Sequence, residues 1–220
     1  MSFAWSYSRL KNFETCPKRH YHYDIAKDIT EEESGALLEG HDTHKAFELR
    51  VSRKQKLPPN LARHESWIQM LVKPPGFAYA EQKLALNSFF EPVGFFADNV
   101  WFRCVLDFTK VMDSFAVVVD YKTGKVGDDD TQLSLQAATV FHTIPAINRV
   151  RSGMAFVNYD KVVSKVYHRS DIPLIWNKML PRVKKYEAAM HHKEYPPTPS
   201  GLCVKYCGVV SCPYHGKGTR

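Results

Sequence analysis

The segment "WFRCVLDFTKVMDSFAVVVDYK", residues 101–122, leaves little choice of local fold. Two runs of alternating aromatic and β-branched residues flank the short polar break in "MDSF", and such a pair forms a β-hairpin. With Asp113 and Ser114 as the turn, Asp107 lies directly opposite Asp120. Like charges so placed destabilise a sheet. A divalent cation removes the conflict, and carboxylates suit magnesium or manganese. Lys122 follows Asp120 by two residues and projects from the same face of the strand. An ammonium there can orient a water or offset charge building on a phosphate. Metal, lysine and carboxylates together therefore suit phosphodiester hydrolysis. The other reading of these residues is a surface Asp107 in a salt bridge with Lys122.

Periodicity places the hairpin in a larger α/β chain. Helical spacing of Leu10, Phe13, Tyr21 and Ile25 predicts a helix over 6–27, capped by Ser6 or Ser8 and broken or restarted at Pro17. A second helix covers 35–54, and a short one runs from "PPN" at 58–60 to Val72. Strands are expected at "FAYAEQKLAL", "WFRCVLDFTKV", "FAVVVDYK", "SGMAFVNY" and "KVVSKVYH", the last two joined near Asp160. Helices fall at 131–143 and 171–192, and the Pro-, Gly- and Cys-rich tail is irregular. The fold class is α/β, a central mixed β-sheet flanked by helices. The whole chain, 1–220, reads as one domain. It has an N-terminal helical part (1–75), an α/β core (76–195) and a Cys-rich tail (196–220).

Charge and composition narrow the partner. Thirty Lys and Arg against 23 Asp and Glu give a net charge of +7, which favours a polyanion, nucleic acid being the commonest. No apolar run approaches the roughly 20 residues of a membrane helix, and the N-terminus lacks a signal-peptide core. The expected location is cytoplasmic, with no membrane partner.

Asp107, then "VVVDYKTGK", then "QLSLQAA" resemble the PD-(D/E)XK nuclease superfamily. The resemblance is closest to the RecB-type branch of CRISPR adaptation nucleases and small phage exonucleases. It spans Ser6 to Cys212 and rests on the order and spacing of several motifs. It implies a restriction-endonuclease-like core and a metal-dependent DNA exonuclease. In that branch a G-x-x-x-H helix supplies a histidine ligand, matched here by Gly40 and His44 in "GHDTH". The resemblance thus implies a metal held by His44, Asp107, Asp120 and the backbone carbonyl of Tyr121, with Lys122 positioning the water. Glu48 and Glu81 could face the same site, or serve as solvated charges or structural partners. The branch often continues with Q-x-x-x-Y near DNA; this chain has Gln132 but Gln136 where tyrosine is expected. The implied setting is recombination, repair or phage replication, in a bacterial or phage-infected cell, alongside recombination or replication proteins.

Five cysteines sit at 16, 104, 203, 207 and 212. Three close thiols in a tail without a buried pattern suit a metal, either zinc or an iron–sulfur cluster. The same branch staples one N-terminal and three C-terminal cysteines around a 4Fe–4S cluster. The resemblance therefore implies Cys16, Cys203, Cys207 and Cys212 as cluster ligands. The rival is zinc on Cys203, Cys207, Cys212 and His215. Cys104, on the hairpin strand, reads as a small core residue.

Lys11, Lys18, Arg19, His20 and Tyr21 interleave bases and aromatics around Cys16, which suits a single strand or a duplex end. Arg19, Tyr21 and Gln132 are candidate DNA contacts. The basic stretch "RVKKYEAAMHHK" carries no sequence-reading signal. Two other functions fit parts of the pattern: a non-catalytic nucleic-acid-binding accessory protein with structural zinc, and an RNA-directed nuclease.

Overall fold

The computed structural model describes residues 3–30, 34–127 and 129–217. In chain order its elements are α1 (Tyr7–Thr15), α2 (Pro17–His20), a π-helix (Tyr21–Ala26), α3 (Gly35–Arg53), a 3-10 helix (Pro59–His64), α4 (Glu65–Val72), β1 (Phe77–Leu86), β2 (Pro92–Val93), β3 (Phe102–Met112), β4 (Phe115–Lys122), α5 (Asp130–Thr143), β5 (Arg149–Phe156), β6 (Lys161–His168), α6 (Ile172–His192) and α7 (Leu202–Lys205). The chain divides into two compact units, Phe3–Glu33 with Asn177–Arg220, and Ser34–Trp176.

In the unit 34–176, six strands form one mixed sheet in the order β2-β1-β3-β4-β5-β6. β4 and β5 are parallel and joined through α5; the other pairs are antiparallel. The β3–β4 hairpin turns at Asp113 and Ser114 as the alternation requires, with Asp113 at φ 37°. Gly76 opens β1 at φ 114°, where an added Cβ would lie 2.2 Å from the Val111 carbonyl; no other residue fits.

Successive residues of β4 face opposite sides of the sheet. Tyr121 packs with Phe47, Leu61, Ile68, Phe108, Val119, Ala155 and Val157, burying the apolar stripes of α3 and α4. Asp120, its neighbour, meets α5 on the other side. Two cations tie off helix ends that would otherwise leave bare carbonyls. Buried Lys110 donates to Val72 O at 2.9 Å and Gly76 O at 3.2 Å. Arg169 donates to the carbonyl of Phe141 in the last turn of α5 and to those of Ile144, Pro145 and Ile147 past its end. Phe47 is fully buried at the centre of its cluster. Phe47→Ala is expected to destabilise this unit by about 3–5 kcal/mol, read from chemical denaturation.

In the other unit the expected helix over 6–27 is three pieces. Pro17 cannot continue α1, so Cys16 takes an extended conformation, ends α1 and caps α2 with its sulfur. The segment then widens into a π-helix, a form that no propensity in "YHYDIA" announces. Buried His20 joins Asp24 Oδ2 and the Tyr186 hydroxyl, both at 2.8 Å, and Tyr186 stacks on Phe13 at 4.8 Å. The His20 hydrogen bond holds the Asp24 carboxyl below its usual range. Within this unit the tail reaches the N-terminal segment, where Gly208 N–H donates to the Tyr23 hydroxyl at 2.9 Å.

Candidate metal centre

Three carboxylates fall on one line across three strands. The rungs Ala80↔Phe108 and Gln82↔Leu106 flank Glu81 and Asp107, and Phe108↔Val119 is the last rung before Asp107 and Asp120. Neither acidic rung is part of the hydrogen-bonded ladder. Glu81 instead takes φ 49° inside β1, a left-handed conformation costing a side chain about 1–2 kcal/mol. Asp107 uses its carboxylate in place of the ladder, accepting the Tyr121 N–H on Oδ2 at 2.7 Å. Strain inside a strand, where neighbours on both sides are regular, marks a place held for something other than sheet formation.

α3 delivers the histidine. An added Cβ on Gly40 would meet the Thr123 hydroxyl at 3.3 Å, so glycine lets this helix come close to the end of β4. One turn on, His44 Nε2 donates to the Tyr121 carbonyl at 3.0 Å, and Nδ1 faces Asp107 Oδ2 at 3.5 Å. Burial disfavours a charged His44. The hydrogen bond and charge of Asp107, with lesser help from Asp120 and the Tyr121 carbonyl, outweigh it and raise its pKa. His44, Glu81 and Asp107 each bring a ligand atom within 4.8 Å of the others, and among the described residues they are the one such group of three.

Asp120 sits beside this group, 6% exposed. Its Oδ1 accepts from Gln132 Nε2 at 2.6 Å and Gln136 Nε2 at 3.2 Å; its Oδ2 is 2.7 Å from Lys122 Nζ. Asp129 caps α5 by accepting the Gln132 N–H, which fixes the first turn of the helix. Gln132 and Gln136, four residues apart, then share a face. Gln136 is buried, and its Oε1 accepts from Ser152 Oγ at 2.8 Å, so Asp120 Oδ1 is held through a chain of hydrogen bonds, while buried Oδ2 has the Lys122 charge beside it but no hydrogen bond among the described residues. Burial, then the charge of Asp107, push Asp120 up to about 6 against the pull of Lys122 and His44. Burial and Asp107 likewise raise Glu81. Burial pushes the Cys104 thiol up to about 12, which fits a half-buried structural residue.

The expected residues therefore divide as follows. His44 and Asp107 meet, and the Tyr121 carbonyl bonds to His44. Asp120 and Lys122 form an ion pair next to them, outside the compact group of three. Glu81 completes that group. Glu48 bonds to Lys45 at 2.7 Å, and Gln132 is engaged with Asp120. Gln136 entered the sequence reading only as a departure from the expected tyrosine, and Ser152 not at all. The repeat Gln132-x-x-x-Gln136 just after Asp-x-Lys was the available signal for the first; nothing singled out the second.

In the other unit, Cys16, Cys203, Cys207 and Cys212 line one pocket with Lys18, Arg19, Tyr214 and His215. Cys16 Sγ accepts the Arg19 and Thr198 N–H groups at 3.5 and 3.4 Å, and Cys203 Sγ accepts Ser200 N–H at 3.4 Å. Their sulfurs do not form a group as tight as the His44 one. Arg19 lies 4.3 Å over the Tyr23 ring, and Tyr21 stacks on Tyr195 at 4.7 Å. Among the described residues no helix is long and apolar enough to cross a membrane.

No family model and no curated protein matches the sequence. Several solved structures are similar to it, and two serve as examples. One, a protein from Eubacterium rectale provisionally named an exonuclease, is 15% identical, with 91% of this chain and 85% of that one covered and a TM-score of 0.48. The other, the protein SSO0001, is 12% identical, with 98% and 88% covered and a TM-score of 0.44. At these values neither likeness bears on function.

Proposed function

We propose that this chain is a metal-dependent DNA nuclease of the PD-(D/E)XK superfamily, in its RecB-type branch, acting as an exonuclease. The observation that carries the reading is the convergence of His44, Glu81 and Asp107 beside the Asp120–Lys122 pair. The donor set fits a hard divalent cation, being rich in carboxylate and carbonyl oxygen with one imidazole. The raised Glu81 and Asp120 carboxyls fit too, because clustered, buried acids lack positive charge. His44, Glu81 and Asp107 would hold magnesium or manganese, with Asp120 and the Tyr121 carbonyl bordering it. The bound ion supplies Lewis-acid charge to a phosphoryl oxygen.

The protein's own groups do the rest. Asp120 Oδ2 fixes the Lys122 ammonium, which orients a water by hydrogen bonding and offsets charge developing on the phosphate. Gln132 and Gln136 hold the Asp120 carboxylate in one orientation, so that Lys122 needs little reorganisation.

We further propose a 4Fe–4S cluster as a structural staple in the other unit, where four cysteines line one pocket. A single zinc ion draws its thiolates to about 3.8 Å of one another, given Zn–S bonds near 2.3 Å. A cluster is larger and spreads its ligand sulfurs, and backbone N–H groups aimed at sulfur suit it. The purified protein is expected to be brown, with Cys16→Ser colourless; a colourless native protein with one zinc per chain contradicts the cluster.

The test of function is cleavage of end-labelled linear and circular DNA with magnesium or manganese. Linear DNA is expected to be degraded, circular DNA spared, and EDTA to stop the reaction. Binding without cleavage, unaffected by Asp120→Ala with Lys122→Ala, contradicts the reading. RNA cut in preference to DNA corrects the substrate.

A further inference from the structure

A second pocket lies one strand away from the end of β4, on the face of Tyr121. Its floor is the C-terminal end of β5, Ala155 and Phe156, with Val157 just beyond; all three are buried. Phe156 is the parallel-strand partner of Lys122, and Ala155 of Tyr121. Neighbouring strands are about 4.8 Å apart, so the pocket begins one strand spacing from the β4 backbone, on the sheet face that carries Tyr121. Trp67 of α4 makes a wall, and its ring lies 5.9 Å from Tyr121, which in turn lies 5.8 Å from His44. Ligands of open parallel sheets collect outside the carboxyl ends of the strands, and β4 and β5 are the parallel pair here.

The pocket's chemistry is an apolar slot with a charged mouth. Arg63, Lys161 and Asp160 are exposed at its rim. Arg63 Nε donates to His64 Nε2 at 3.0 Å, which places the His64 proton on Nδ1, facing Asp160 Oδ1 at 3.7 Å. Asp160 holds a left-handed backbone, φ 47°, at the turn into β6. The cavity volume is about 150 Å³. A cavity of that size takes one six-membered aromatic ring and little more. An aromatic wall, room for one ring, two cations for a phosphate backbone and a carboxylate to accept from a base amine together describe a pyrimidine nucleotide.

Resting on the nuclease reading for its setting, we propose that this slot seats a pyrimidine base of the DNA strand. The base lies against Trp67, with Arg63 and Lys161 along the adjoining phosphates. The occupant is a nucleotide of the same strand away from the one whose phosphodiester meets Lys122. The slot therefore gives the protein a preference for pyrimidine at that position. It involves none of His44, Glu81, Asp107, Asp120 or Lys122.

The test is calorimetric titration of the full-length protein with deoxycytidine 5′-monophosphate, deoxyguanosine 5′-monophosphate and inorganic phosphate. DNA cleavage is assayed on the same preparations. The pyrimidine nucleotide is expected to bind about 10-fold tighter than the purine, and phosphate alone not to compete. Lys161→Ala, a surface change, and Trp67→Phe, which keeps a ring, should each weaken that binding by about 10-fold. They should raise KM for DNA with kcat little changed. Equal binding of both nucleotides, or wild-type binding by Lys161→Ala and Trp67→Phe, overturns the slot while leaving cleavage intact. Selective nucleotide binding by a protein that cuts no DNA upholds the slot and defeats the nuclease reading instead.

Discussion

Glu81→Gln is expected to lower metal-supported DNA cleavage by at least about 10²-fold while leaving the fold intact. Glutamine keeps the size of the side chain and the strained backbone at φ 49°, so the change removes charge and little else. In the metal-free protein that charge is unwelcome, since burial and Asp107 both resist ionisation of Glu81. Its loss should therefore not reduce stability. With a cation required, one of the three groups within 4.8 Å no longer carries a charge, and affinity for the ion falls. Excess manganese should recover part of the rate, because the remaining groups still form an incomplete site. Kinetics against metal concentration, with circular dichroism as the control on folding, decide it. Activity within a factor of a few of wild type would show that Glu81 stands outside the chemistry.

Asp120→Asn is expected to stabilise the metal-free protein above neutral pH, by up to about 3 kcal/mol. The Asp120 carboxyl titrates at about 6 in the fold against 3.8 for an unperturbed aspartate. A carboxyl whose pKa rises on folding binds its proton more tightly in the native state. The destabilisation is absent below about pH 3.8, grows between there and about 6, and is fully present above. Wild type should thus lose stability relative to the variant as pH rises through that window, and the two should converge in acid. Denaturation of the unit 34–176 at pH 4 and pH 8 gives the comparison. The same substitution removes the partner that fixes Lys122, so cleavage should fall as stability rises, the trade expected of a site built against its own fold.

The hairpin was legible because its turn and its alternation are local. "MDSF" between two β-branched runs admits one register, and that register puts Asp107 across from Asp120. The same logic reached β1, the helix expected at 35–54, which ends at Arg53, and the helix expected at 131–143. What escaped was set by neighbours far along the chain. Nothing in "YAEQK" shows that Glu81 leaves the strand conformation; that follows from acids meeting across β1, β3 and β4. The opposed charges were foreseen, but not that Asp107 would turn to the Tyr121 N–H, nor that two glutamines and Ser152 would brace Asp120. The slot beside Trp67 is built from three separated segments, none of which carries a motif of its own. Cys16 was grouped with the tail cysteines through the family resemblance, and the four line one pocket because both chain ends share a unit.

The account stands on one ion held between α3, β1 and β3 by His44, Glu81 and Asp107. Titration of the chain with Mn²⁺, followed by the loss of the free ion's electron paramagnetic resonance signal, tests this most directly. The prediction is one tight site per chain, weakened about 10-fold or more in Glu81→Gln and in Asp107→Asn, and unchanged in Lys161→Ala. A wild-type protein that takes up no manganese, or variants that bind it as wild type does, would contradict the account at its foundation.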